Sequence, residues 1–199
     1  NYAMSIIAIG FAAILDTLDG RVARLIKGSS KVGKELDSLT DVISFGVAPG
    51  FIMYFWTLNE IGKFGWMLVL IYVVCCALRL ARFNLTTIDE NESWKVNFFE
   101  GVPSPAAAGL VLLPLILSLS GLIEINNISI LSSIVIVLTS ILMVSNIPTY
   151  SLKKILIPRS MTIFLLLGIG VYLSLVIFYT FETLFLTGLI YIFLIPISY

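Results

Sequence analysis

Histidine is absent from this sequence, and cysteine occurs only twice. The first absence excludes histidine-based acid/base chemistry and the common histidine-containing zinc sites. The two cysteines, Cys75 and Cys76, are adjacent inside an apolar run. Neighbours on a helix point about 100° apart, so they cannot easily bridge each other, and they read as small apolar helix residues. Charge is scarce too, at 12% of residues, against about 25% in a soluble domain. The formal net charge is zero, so the overall balance predicts no nucleic-acid partner. No repeat, low-complexity tract or soluble domain is visible along the chain.

What fills the sequence is apolar: 59% of residues are hydrophobic and the mean hydropathy is +1.05. Apolar segments recur along the whole length, which separates them from a signal peptide. The expected fold is all-α, a polytopic membrane helix bundle. A span needs about 20 apolar residues, and six segments qualify: roughly 2–25, 36–58, 64–83, 104–122, 128–148 and 161–180. A shorter seventh, 183–198, is apolar enough to return across the bilayer. Connections 26–35, 84–103 and 149–160, with the helix end before the second, hold Lys27, Lys31, Lys34, Arg79, Arg82, Lys95, Lys153, Lys154 and Arg159. The alternate connections 59–63, 123–127 and 181–182 hold only Lys63. By the positive-inside rule the basic loops face the cytoplasm. Trp56, Trp66 and Trp94 fall near segment boundaries, where an aromatic belt would put them.

Against that apolar background, four aspartates stand out. Asp16 and Asp19 are three residues apart, and Asp37 and Asp41 four apart, so on helices each pair occupies one face. The basic loop between the pairs is short enough to make their helices antiparallel neighbours. Four carboxylates can therefore converge at the cytoplasmic end of a helix pair. An aspartate at the centre of a membrane helix costs about 2.5–3.5 kcal/mol, and like charges in one site repel. A divalent cation removes both problems, and an all-carboxylate set favours Mg²⁺, Mn²⁺ or Ca²⁺ over zinc. Arginines beside such a site suit a polyphosphate substrate. Gly20 and Ala23 lie on the same face and let a neighbouring helix or ligand approach. Gly33 opens the second helix, and Ser30 in the loop can donate a hydrogen bond to a phosphate. The acidic residues Asp89, Glu90 and Glu92 have no ligand spacing and read as a solvated loop.

The stretch from Asp16 to Asp41 resembles, at every fixed position, the motif of the CDP-alcohol phosphatidyltransferase family: Asp-x2-Asp-Gly-x2-Ala-Arg-x8-Gly-x3-Asp-x3-Asp. The resemblance implies transfer of a phosphatidyl group from a CDP-linked lipid to an alcohol, with release of CMP. It implies that Asp16, Asp19 and Asp37 hold the metal, Mg²⁺ or Mn²⁺, and that Asp41 is both a ligand and the catalytic proton acceptor. It further implies a CDP-lipid site at Gly20, Ala23, Arg24, Ser30 and Gly33, and a homodimer in the bilayer. Family members carry another membrane helix before the Asp16 helix; the expectation is that this first helix is missing here. The family's membrane domain would occupy residues 1–150, followed by C-terminal helices in 151–199.

Three further stretches are similar to the serine-using, membrane-embedded bacterial members of that family. They are residues 35–49, Arg79-Leu-Ala-Arg-Phe-Asn84 and 99–109. This similarity implies CDP-diacylglycerol and L-serine as substrates and a bacterial inner membrane as location. Arg79 and Arg82, three apart at the cytoplasmic end of their helix, are candidates for binding serine's carboxylate, with Asn84 as a polar partner. Pro103 and Pro105 are expected to shape the entry of their segment, and Pro49 to kink or end its helix. Two alternatives stay open: a sister enzyme using another acceptor such as glycerol 3-phosphate, and a cation transporter. A transporter predicts polar groups continuing across the membrane, whereas these acidic residues cluster at one end.

Overall fold

The computed structural model describes residues 1–25, 31–86, 98–122, 126–145, 148–150 and 161–197. The chain folds as an all-helical bundle. α1 is Tyr2–Leu25 and α2 is Lys31–Asp41. The latter continues through a π-helical segment, Val42–Val47, into α3, Ala48–Trp56. A 3₁₀ turn, Leu58–Ile61, leads into α4, Lys63–Thr86. α5, Ser104–Val111, and α6, Leu113–Ser120, precede α7, Ile128–Val144. The pair α8, Thr162–Phe178, and α9, Thr180–Ile197, closes the chain. One short antiparallel ladder departs from pure helix: β1, Phe98–Glu100, pairs with β2, Pro148–Tyr150.

The segments Tyr2–Gly20, Glu35–Trp56 and Lys63–Asn84 are each long and apolar enough to cross a membrane. The apolar helices Ile128–Val144, Thr162–Phe178 and Thr180–Leu194 are shorter. No residue of α8 is buried, although the helix is apolar throughout. A helix hydrophobic on every side, yet uncovered by protein, belongs against lipid.

Three boundaries differ from the sequence reading. α2 begins at Lys31, so Gly33 lies within its first turn and residues 31–35 are helix instead of loop. Of the two roles expected for Pro49, kinking or ending its helix, the second is not seen: Pro49 sits in the first turn of α3, directly after the π segment. A proline there has no N–H to satisfy, and the wider π turn absorbs its ring. The segment 104–122 breaks at Leu112, because Pro114 cannot donate to the carbonyl four residues earlier.

The core is formed by α3, α4, α5, α6 and α7, with Met53, Val69, Tyr72, Val111, Leu112, Leu115 and Ile136 fully buried. Gly46 and Gly50 let α4 approach closely. A Cβ on Gly46 would stand 3.2 Å from Cys76, and one on Gly50 would stand 3.0 Å from Val69. Small residues four apart are the usual means of bringing membrane helices together. Tyr72 locks the same interface by donating a 2.7 Å hydrogen bond to the Phe45 carbonyl in the π segment. Both cysteines are unpaired, Cys76 buried in this contact.

Helix directions collect the polar features at one end. Tyr2 at the start of α1 donates to the carbonyl of Phe55 near the end of α3, at 2.9 Å, so the two run antiparallel. Trp66 packs with Phe51 and Tyr54 near that end of α3. The opposite end holds the C-terminal part of α1, all of α2 and the end of α4. The basic connections leave from there, but Lys27, Lys95, Lys153, Lys154 and Arg159 lie outside the described residues, as do Trp94 and the acidic residues Asp89, Glu90 and Glu92.

Candidate functional site

Asp16 and Asp19 project from the last turns of α1, and Asp37 and Asp41 from α2. The antiparallel pairing brings them together. One carboxylate oxygen from each of Asp16, Asp19 and Asp37 lies within 4.8 Å of the other two. Asp41 adjoins the cluster, its side chain interacting with that of Asp16. Carboxylates at this distance repel unless a proton or a cation lies between them. The donor set is entirely oxygen, which fits a hard divalent cation. An ion about 2.1 Å from each oxygen needs them no more than about 4.2 Å apart, so small side-chain rotations close the set. Among the described residues this is the one group of three or more acidic, cysteine or histidine side chains with such spacing.

The site is open. Asp19 and Asp37 are exposed, and Asp16 and Asp41 half-buried. Gly20 is exposed and a Cβ there would meet nothing within 4 Å, leaving space beside Asp19 for a ligand. Gly33 is also exposed, one turn before Asp37. Ala23 and Arg24 continue α1 past the aspartates, but their side chains, like the whole of Ser30, lie outside the described residues.

The far wall comes from α4. Asn84 donates through Nδ2 to Ser38 Oγ at 3.0 Å, tying the end of α4 to the α2 turn between Asp37 and Asp41. Arg79 is half-buried and lies within electrostatic range of Asp41. Its Nη1 donates to Ser104 Oγ at 2.8 Å. Arg82 Nη1 donates to the Val144 carbonyl at 3.1 Å, bonding the end of α7. The three residues grouped by sequence thus have separate attachments: Arg79 to α5, Arg82 to α7 and Asn84 to α2. Ser38 and Ser104 were not singled out by sequence. The Pro-Ser-Pro context of Ser104 was a usable signal, because Pro103 and Pro105 bracket the first residue of α5 and leave its side chain facing α4.

Residues 1–145 match the family model described as CDP-alcohol phosphatidyltransferase. A Helicobacter pylori protein named CDP-diacylglycerol–serine O-phosphatidyltransferase is 43% identical over 155 residues, 78% of this chain and 64% of the relative. A Mycobacterium leprae protein of the same name is 48% identical over 105 residues, 52% of this chain and 35% of that protein. A third, from Methanocaldococcus jannaschii, is 37% identical over 147 residues, 73% of this chain and 64% of that protein. The chain therefore spans less than two thirds of the length of these relatives.

Proposed function

The chain belongs to the CDP-alcohol phosphatidyltransferase family, and from that premise we propose that it transfers the phosphatidyl group of CDP-diacylglycerol to L-serine, yielding phosphatidylserine and CMP. The observation that carries this reading is the convergence of Asp16, Asp19 and Asp37 with Asp41 at their side. The names of the relatives support serine as the acceptor. The absence of a second acidic cluster among the described residues disfavours cation transport.

Serine's hydroxyl is a weak nucleophile at neutral pH. Asp41 accepts its proton as the oxygen attacks the phosphorus that bears the diacylglycerol, and the bond from that phosphorus to CMP breaks. Asp16, Asp19 and Asp37, with Asp41, would hold Mg²⁺ or Mn²⁺, which would supply positive charge to offset that of the diphosphate. Gly20, Ala23, Arg24, Ser30 and Gly33 receive the CDP head group, and Arg24 clamps its phosphates. Arg79 binds the serine carboxylate, while Arg82 and Asn84 hold the helix end that presents it. Residues 1–150 form the catalytic membrane domain and 151–199 its C-terminal helices. The site faces the cytoplasm of a bacterial inner membrane, and the protein works as a homodimer.

The deciding assay incubates purified protein with CDP-diacylglycerol, Mn²⁺ or Mg²⁺ and a panel of alcohols. Serine-dependent CMP release is expected. Release that depends on glycerol 3-phosphate and ignores serine would refute the acceptor assignment.

A further inference from the structure

Around Arg79, which lies within electrostatic range of Asp41, two buried polar atoms have no hydrogen-bond partner among the described residues. Arg79 spends Nη1 on Ser104, but its buried Nε has no hydrogen-bond partner among the described residues. The hydroxyl of Tyr191 on α9 is likewise buried and without a partner. A buried donor without a partner is costly, and Tyr191, on a different helix, lies within electrostatic range of Arg79. Ser104, fully buried at the start of α5, accepts the Arg79 bond at the same spot.

α9 is built to hold Tyr191 there. Phe181, Leu184, Phe185 and Tyr191 all pack against the buried core. Gly188, within this stripe, leaves no room for a Cβ beside Leu113 of α6. The spacing 181, 184, 185, 188, 191 is one helical face. The close approach at Gly188 lowers α9 onto α6, and Tyr191 follows one turn later. This face lies beyond residues 1–145, the part matched by the family model.

We propose that Tyr191 completes the acceptor subsite, its hydroxyl and the free edge of the Arg79 guanidinium together binding the carboxylate of the acceptor. The subsite rests on the serine reading given above. An arginine offers paired donors to a carboxylate, and a phenol adds a third from another direction. Bound there, the acceptor satisfies both buried donors and has its hydroxyl end toward Asp41. The C-terminal helix then sets acceptor specificity.

The test is Tyr191→Phe in the full chain, which keeps the ring packing and removes one hydroxyl. CMP release is measured with L-serine, with serinol (in which a hydroxymethyl group replaces the carboxylate) and with glycerol 3-phosphate. The KM for L-serine should rise about tenfold, the value of one hydrogen bond to a charged group. The KM for CDP-diacylglycerol should change less than twofold, and the preference for L-serine over serinol should fall about tenfold. An unaltered preference, or equal rises in both KM values, overturns the subsite and leaves the serine reading standing. Wild-type protein that ignores L-serine overturns the serine reading, and the subsite with it.

Discussion

α1 and α2 present the aspartates from thinly packed helices, whereas α4 presents Arg79 from the middle of the core. Along α1 the large apolar residues Met4, Ile7, Phe11, Ile14, Leu15 and Leu18 are exposed, as are Leu36 and Leu39 on α2. α4 instead buries Leu68, Val69, Tyr72, Cys76 and Leu80. The contrast indicates a division of labour. On the proposed function, the acceptor side would be fixed by packing before any ligand arrives, while the metal side would depend on its cation to hold two helices together. A ligand that binds only the folded arrangement stabilises it by mass action.

The contrast can be broken experimentally, and the largest effect is expected from the cation. Chelation should abolish CMP release and lower the melting temperature. Asp37→Asn should do both even with excess Mn²⁺, and a variant that keeps full metal-dependent activity would contradict the three-carboxylate site. Next comes Asp41→Asn, for which a fall in kcat of about 10²–10⁴, about 3–5 kcal/mol, is expected from loss of a general base. Near-normal turnover would remove Asp41 from that role.

On the packed side the effects should appear in stability. Gly50→Leu forces a side chain against Val69, 3.0 Å from where even a Cβ would sit. Overpacking of this kind costs about 1–3 kcal/mol, and thermal unfolding with and without Mn²⁺ should show that cost at both conditions. The smallest expected change is Tyr72→Phe. It loses the hydrogen bond to Phe45 in the π segment, worth about 0.5–1.5 kcal/mol. If Tyr72→Phe also depressed kcat, the π segment would be positioning Asp41, and the two regions would not be separable.

Much of this was legible in the residues. Hydropathy located the helices, because a bilayer-spanning segment must be apolar over its whole length. The spacing of Asp16, Asp19, Asp37 and Asp41 foretold their convergence, since i, i+3 and i, i+4 positions share a face and a short loop makes antiparallel neighbours. The break before Pro114 was missed, because the segment 104–122 is apolar throughout and hydropathy alone does not register a missing N–H. The π segment was not legible either, because it depends on Gly46 and Gly50 meeting α4 and on Tyr72 reaching the Phe45 carbonyl.

By itself the sequence determined the membrane class, the helix count to within a break, and the convergence of Asp16, Asp19 and Asp37. Those follow from composition and from contacts a few residues apart. Only the tertiary structure decided what stands opposite the aspartates. Arg79, Arg82 and Asn84 look alike on one helix, yet their partners lie on α5, α7 and α2. Tyr191 comes within electrostatic range of Arg79, more than a hundred residues away in the chain, as α9 seats its Gly188 against α6. Local spacing carries no information about such pairings, since they arise from how helices distant in the chain pack together.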